Sequence, residues 1–83
     1  MTTIPAPRPI RAIASEIHRL WPKPKFSATP YIVAMSHLNT ISDRYFSDSA
    51  ESIILYFLSN ATTWRGEDAK RIKLELKAML PKR

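Results

Sequence analysis

The sequence predicts an all-α domain of four helices, arranged as a compact bundle or an orthogonal array. Three observations carry that expectation. Apolar residues recur at three- and four-residue spacings through most of the chain. Prolines and capping residues cut this pattern into helix-length pieces. A single Gly in 83 residues argues against β-hairpin turns, Gly-rich phosphate cradles and flexible linkers.

Met1 to Pro9 carries Pro5, Pro7 and Pro9 with little to bury, and is expected to form an extended N-terminal arm. A single helical domain over residues 10–83 follows. Its first helix, Ile10 to Trp21, places Ile10, Ile13, Ala14, Ile17, Leu20 and Trp21 on one face. Pro22 and Pro24 stop it, because neither supports the helical hydrogen-bond ladder. The connector Trp21-Pro22-Lys23-Pro24-Lys25-Phe26 is stiff and basic.

Thr29-Pro30 reads as a helix start, with Thr29 capping and Pro30 in the first turn. The second helix carries Tyr31, Ala34, Met35, Leu38 and Ile41 on one face, with an interruption expected near Asp43–Ser47. Asp48-Ser49-Ala50-Glu51 has the spacing of a capping box with Asp48 as the cap. The third helix then presents Ala50, Ile53, Ile54, Phe57, Leu58, Ala61 and Trp64. So wide an apolar face suits a central helix contacted by the others. Gly66 is the expected left-handed residue closing it. Glu67 and Asp68 open the fourth helix, Ala69, Ile72, Leu76, Met79 and Leu80 form its buried face, and Pro81 ends it.

A domain this short buries roughly 60% of its unfolded surface and has little stability to spare. There is no Cys, so neither disulfides nor thiolate metal sites supplement the core, and an intracellular, cytoplasmic setting is expected. The longest apolar run, Ile53 to Leu58, is six residues, far below a membrane span, and no secretory signal is apparent. No membrane partner is expected. The formal charge of +6, from thirteen Lys and Arg against seven Asp and Glu, favours anionic partners, although solubility alone accounts for a charge of that size.

Catalysis finds little support in the sequence. His18 and His37 lie on different helices, no short-spaced ligand set suggests a metal or cofactor, and no serine stands in a Gly-flanked nucleophile elbow. Asp43, Asp48 and Glu51 form a small acidic cluster, which helix capping explains better than cation binding.

Three features are candidates for binding. The first is a stripe of Lys70, Lys73 and Lys77 with Arg65 just upstream, while Arg71 is expected to pair locally with Glu67 and Glu75. The competing account is a solvated flank whose lysine stems cover the rim of the core. The second is helix–turn–helix spacing around Gly66. Trp64 is bulky for that motif, and Glu67 and Asp68 oppose phosphates where a recognition helix would carry Arg, Asn or Gln. The third is a set of apolar residues off their helices' buried faces: Ile32, Val33, Leu55, Tyr56 and Leu74. These form either one patch for a partner or second copy, or, for Leu55 and Tyr56, part of an all-round buried helix.

The elements Pro30-Tyr31, Ala34-Met35, Asp48-Ser49-Ala50, Ile53, Tyr56-Phe57-Leu58, Asn60-Ala61, Trp64-Arg65-Gly66, Ile72-Lys73 and Glu75-Leu76 resemble a set of small uncharacterised proteins of actinobacterial phages and mobile elements. Trp64-Arg65-Gly66 is the most distinctive part. The resemblance implies no established activity and no functional residues, only a setting in which small proteins commonly inhibit or adapt host machinery.

The expectation is therefore a non-enzymatic helical interaction protein without cofactor or metal. Leu55, Tyr56 and Leu74 would supply apolar contact to a protein partner, and Arg65, Lys70, Lys73 and Lys77 the charge complementarity. The alternatives are a nucleic-acid-binding protein that uses Lys23, Lys25, Arg65, Lys70, Lys73 and Lys77, and a structural homo-oligomer.

Overall fold

The computed structural model describes residues 8–24 and 26–80. The described residues form helices α1 (Ile10–Leu20), α2 (Thr29–Met35), α3 (Ala50–Asn60) and α4 (Glu67–Met79). A two-stranded antiparallel ribbon, β1 (Arg44–Tyr45) and β2 (Asp48–Ser49), precedes α3. The four-helix expectation holds, with the ribbon as an addition. Most of the Pro-rich segment lies outside the described residues, as do Lys25 and the terminal residues from Pro81 onward.

Helix α1 starts on Pro9, which offers no side-chain cap. The orphan amides at its start are satisfied from elsewhere: Ile10 N–H donates to Asn39 O and Arg11 N–H to Leu38 O, at 3.0 and 2.8 Å. Its buried residues, Ile10, Ile13, Ala14 and Ile17, are those the spacing selected. Of the segment 1–9 expected as an arm, only Arg8 and Pro9 are among the described residues. Arg8 is half-buried and donates two hydrogen bonds to the Glu75 carboxylate, at 2.9 and 2.7 Å.

Helix α2 is shorter than its apolar stripe. It begins after Ala28, so Thr29 is its first residue rather than its cap. It stops at Met35 because the following amides turn back on nearer carbonyls: His37 N–H bonds Ala34 O and Leu38 N–H bonds Met35 O. Asp43 then captures the Asn39 and Thr40 amides at 2.8 and 3.1 Å, a local alternative to helix that Asp side chains favour. These two bonds, Thr40's first, hold the Asp43 carboxyl below its ordinary range. Leu38 is fully buried although it lies outside the helix.

The ribbon corrects the expectation that a Gly-poor chain makes no hairpin. Tyr45 pairs with Asp48, which leaves a two-residue turn in which Phe46 takes φ 57°, normally Gly or Asn territory. Ala50 N–H donates to Asp43 O at the ribbon's base, and Arg44 Nη2 donates to Ser47 O. The cap of α3 is also one residue later than its spacing suggested: Ser49 Oγ accepts from Ser52 N–H at 3.1 Å.

One apolar core joins all four helices. Close packing runs in the order α4, α1, α2, α3. Helix α3 is therefore not an all-round buried centre, and Leu55 and Tyr56 remain 43% and 54% exposed. Ile53, Ile54 and Phe57 face inward as expected. Gly66 has the positive φ assigned to it, but at the start of α4 instead of the end of α3, which closes at Ala61. With φ 111° and ψ 176° it occupies a region essentially restricted to Gly.

A basic groove beside the fourth helix

The segment Ala61–Gly66 decides the geometry of the candidate site. Ala61 and Trp64 are buried, and the Trp64 ring stacks on Trp21 at a centroid distance of 5.3 Å and an interplanar angle of 4°. The stack fixes this connection against the C-terminal end of α1. From α4, Lys73 Nζ donates to Ala61 O and Trp64 O, each at 2.6 Å. One ammonium thus bridges two carbonyls of the connection after α3, of which Ala61 O also accepts from Trp64 N–H. Burial, then the nearby Lys77 and Arg65 charges, hold the Lys73 ammonium below the ordinary lysine value.

An open groove of about 670 Å³ lies between this loop and α4, lined by Trp64, Arg65, Gly66, Glu67, Lys70, Lys73, Leu74 and Lys77. Arg65, Lys70, Leu74 and Lys77 are exposed, Leu74 by 57%. Leu74 follows Lys70 by four residues and precedes Lys77 by three, so an apolar side chain sits with a lysine about one turn to either side. The lysine stripe accordingly divides. Lys70 and Lys77 face the groove with free reach, whereas Lys73 is committed to the backbone and walls it.

The opposite edge of α4 has a different chemistry. Glu75 accepts both bonds from Arg8, and Arg71 reaches Glu16 of α1 at 2.9 Å and Asp68 at 3.5 Å. Glu16 also meets Arg8 at 2.8 Å and Arg19 at 3.7 Å. Bonds from Arg71 and then Arg8 hold its carboxyl below the ordinary glutamate range. In place of the expected i±4 pairs with Glu67 and Glu75, Arg71 makes a tertiary pair with Glu16, the less solvated carboxylate, and a local one with Asp68.

Five of the seven residues assigned to protein binding, Arg65, Lys70, Lys73, Leu74 and Lys77, line this groove; Leu55 and Tyr56 do not. Tyr56 instead lies against Tyr31 of α2, with centroids 5.6 Å apart. Ile32, one of the five apolar residues expected off-face, is buried, and Val33 is exposed. Of the connector lysines, Lys23 is exposed and Lys25 lies outside the described residues. The Ala61–Gly66 connection is longer than the three- or four-residue turn of a helix–turn–helix unit, and its Trp64 is buried, so that motif is not formed.

Trp64, Gly66 and Glu67 are groove residues that the binding assignment passed over, although the Trp64-Arg65-Gly66 break marked their place. Phe46, 86% exposed at the ribbon tip and edge-on to Tyr45, was signalled by nothing in the sequence. Both histidines are exposed, His37 stacking on Tyr45. Among the described residues no cluster of three or more His, Asp or Glu is arranged to hold a metal ion. No helix there is long and apolar enough to cross a membrane. No protein-family model, curated protein or solved structure matches the chain.

Proposed function

We propose that this protein is a non-enzymatic interaction module, cytoplasmic in setting, that docks on a macromolecular partner through the groove beside α4. One observation carries the reading: Arg65, Lys70 and Lys77 surround an exposed Leu74, while Asp68 and Glu75 on the opposite edge are paired with arginines. Positive charge that meets no carboxylate among the described residues, set around an apolar anchor, supplies both components of a docking surface. The cations speed and orient encounter, and the anchor contributes most of the affinity once desolvated. The resemblance to small proteins of actinobacterial phages fits this reading, since such proteins commonly inhibit or adapt host machinery.

The test is affinity capture from lysate of the cells in which the protein acts, comparing the native chain with Leu74→Glu and with the Lys70→Glu/Lys77→Glu pair. Circular dichroism verifies that each variant is folded. Loss of the same captured macromolecule with both variants, but not with Leu55→Glu, supports docking at the groove. Retention by both, or loss only with Leu55→Glu, moves the interface elsewhere.

A further inference from the structure

From the docking reading, on which this inference rests, we infer that the groove's occupant is an acidic segment of a protein. That segment carries one apolar side chain flanked on both sides by carboxylates. The spacing on α4 dictates the pattern. Lys70 and Lys77 lie about one helical turn to either side of Leu74, so a complementary ligand places an apolar group over Leu74 and a negative group beyond it in each direction. Arg65, on the facing loop, adds a guanidinium suited to bidentate recognition of a carboxylate.

Three features favour such a segment over nucleic acid. The exposed Leu74 at the centre gives a phosphate backbone nothing to bind, whereas it suits an apolar side chain. The aromatic ring in the groove wall, Trp64, is only 6% exposed and already stacked on Trp21, so it offers no face to a base. Glu67 lines the α4 start of the groove, where evenly spaced phosphates would meet a like charge. A protein segment with carboxylates only at the two lysines avoids it. Lys73 adds no ligand contact in this scheme. It keeps the Trp64 wall in place from behind.

The probe is a fluorescein-labelled helical peptide with a central leucine and a glutamate about one turn to each side, titrated by anisotropy with amide chemical-shift mapping. Two control peptides replace the glutamates by glutamine or the leucine by serine, and random-sequence duplex DNA competes. The expected result is saturable binding that shifts the amides of Arg65, Lys70, Leu74 and Lys77, weakened about tenfold or more by either control and by Leu74→Ser. Equal binding of the leucine and serine peptides overturns the apolar anchor. Tighter binding of DNA, with a steep salt dependence and the same amide shifts, reassigns the groove to phosphates. Absence of peptide binding, when the groove variants still abolish macromolecular capture, removes the acidic-segment inference and leaves the docking reading intact.

Discussion

The two edges of α4 carry similar numbers of charges and use them in opposite ways. On the edge toward α1, Arg8, Glu16, Asp68, Arg71 and Glu75 neutralise one another, tying the chain's N-terminal side to its last helix. On the edge toward the Ala61–Gly66 loop positive charge dominates, with Glu67 the one carboxylate in the groove lining. Lys73 alone is absorbed, by two backbone carbonyls, and Lys70, Lys77 and Arg65 remain for a partner. Charge serves structure where arginines converge on the partly buried carboxylates of Glu16 and Glu75. It is left for recognition where one sign accumulates at the surface.

The two edges share the core beneath α4. Ile72→Ala removes fully buried volume beneath both and is expected to destabilise the domain by about 2–5 kcal/mol, measured by urea denaturation. Both edges should loosen together. Loss confined to one of them, seen by amide exchange, would show that the edges rest on separate supports.

Next is the single lysine that behaves unlike its neighbours. Lys73→Met keeps much of the stem and removes both bonds to Ala61 O and Trp64 O, an expected loss of about 2 kcal/mol. Trp64 fluorescence should report a loosened wall. An unchanged midpoint and emission would mean the ammonium does not hold the loop.

Smaller still is the effect of the paired edge, since its arginines are substantially exposed. Glu16→Gln is expected to cost no more than about 1 kcal/mol at neutral pH. Because the Glu16 carboxyl titrates below its ordinary 4.5, its stabilisation is complete above that pH and is lost as pH falls through the folded value. The native domain should therefore lose stability below about pH 4.5 more steeply than Glu16→Gln. Parallel acid-unfolding curves would show that the network contributes nothing.

Smallest is the effect of the free lysines on folding. The Lys70→Ala/Lys77→Ala pair should shift stability by no more than about 0.5 kcal/mol in thermal melts, while reducing binding to the acidic probe peptide. A large loss of stability would place these lysines with Lys73.

Helix placement was legible because the buried spacings of Ile10–Ile17, Ile53–Phe57 and Ala69–Leu76 are local properties of the chain. The groove was legible in part, since Lys70, Leu74 and Lys77 share a helical face whatever α4 packs against. What misled was competition between local patterns. Residues 31–41 carry a helical stripe, yet Asp43 and the turn at Ser36–His37 draw the backbone out of helix after Met35 while Leu38 still reaches the core. The same holds for Asp48 and Ser49, adjacent capping residues between which only the ribbon's geometry discriminates.

Four amphipathic helices, their approximate ends, the need for an unusual backbone at Gly66 and the lysine stripe of α4 were all legible in the sequence. These follow from periodicity, proline, glycine and charge, which act within a turn or two of themselves. Tertiary packing set α1 against both α2 and α4, turned a hairpin at Phe46 and brought Arg8 to Glu75. It also decided that Lys73 faces backbone while Lys70 and Lys77 face solvent. Each of these depends on which groups distant in sequence compete for the same hydrogen bond, charge or buried volume, and that competition exists only once the helices have packed.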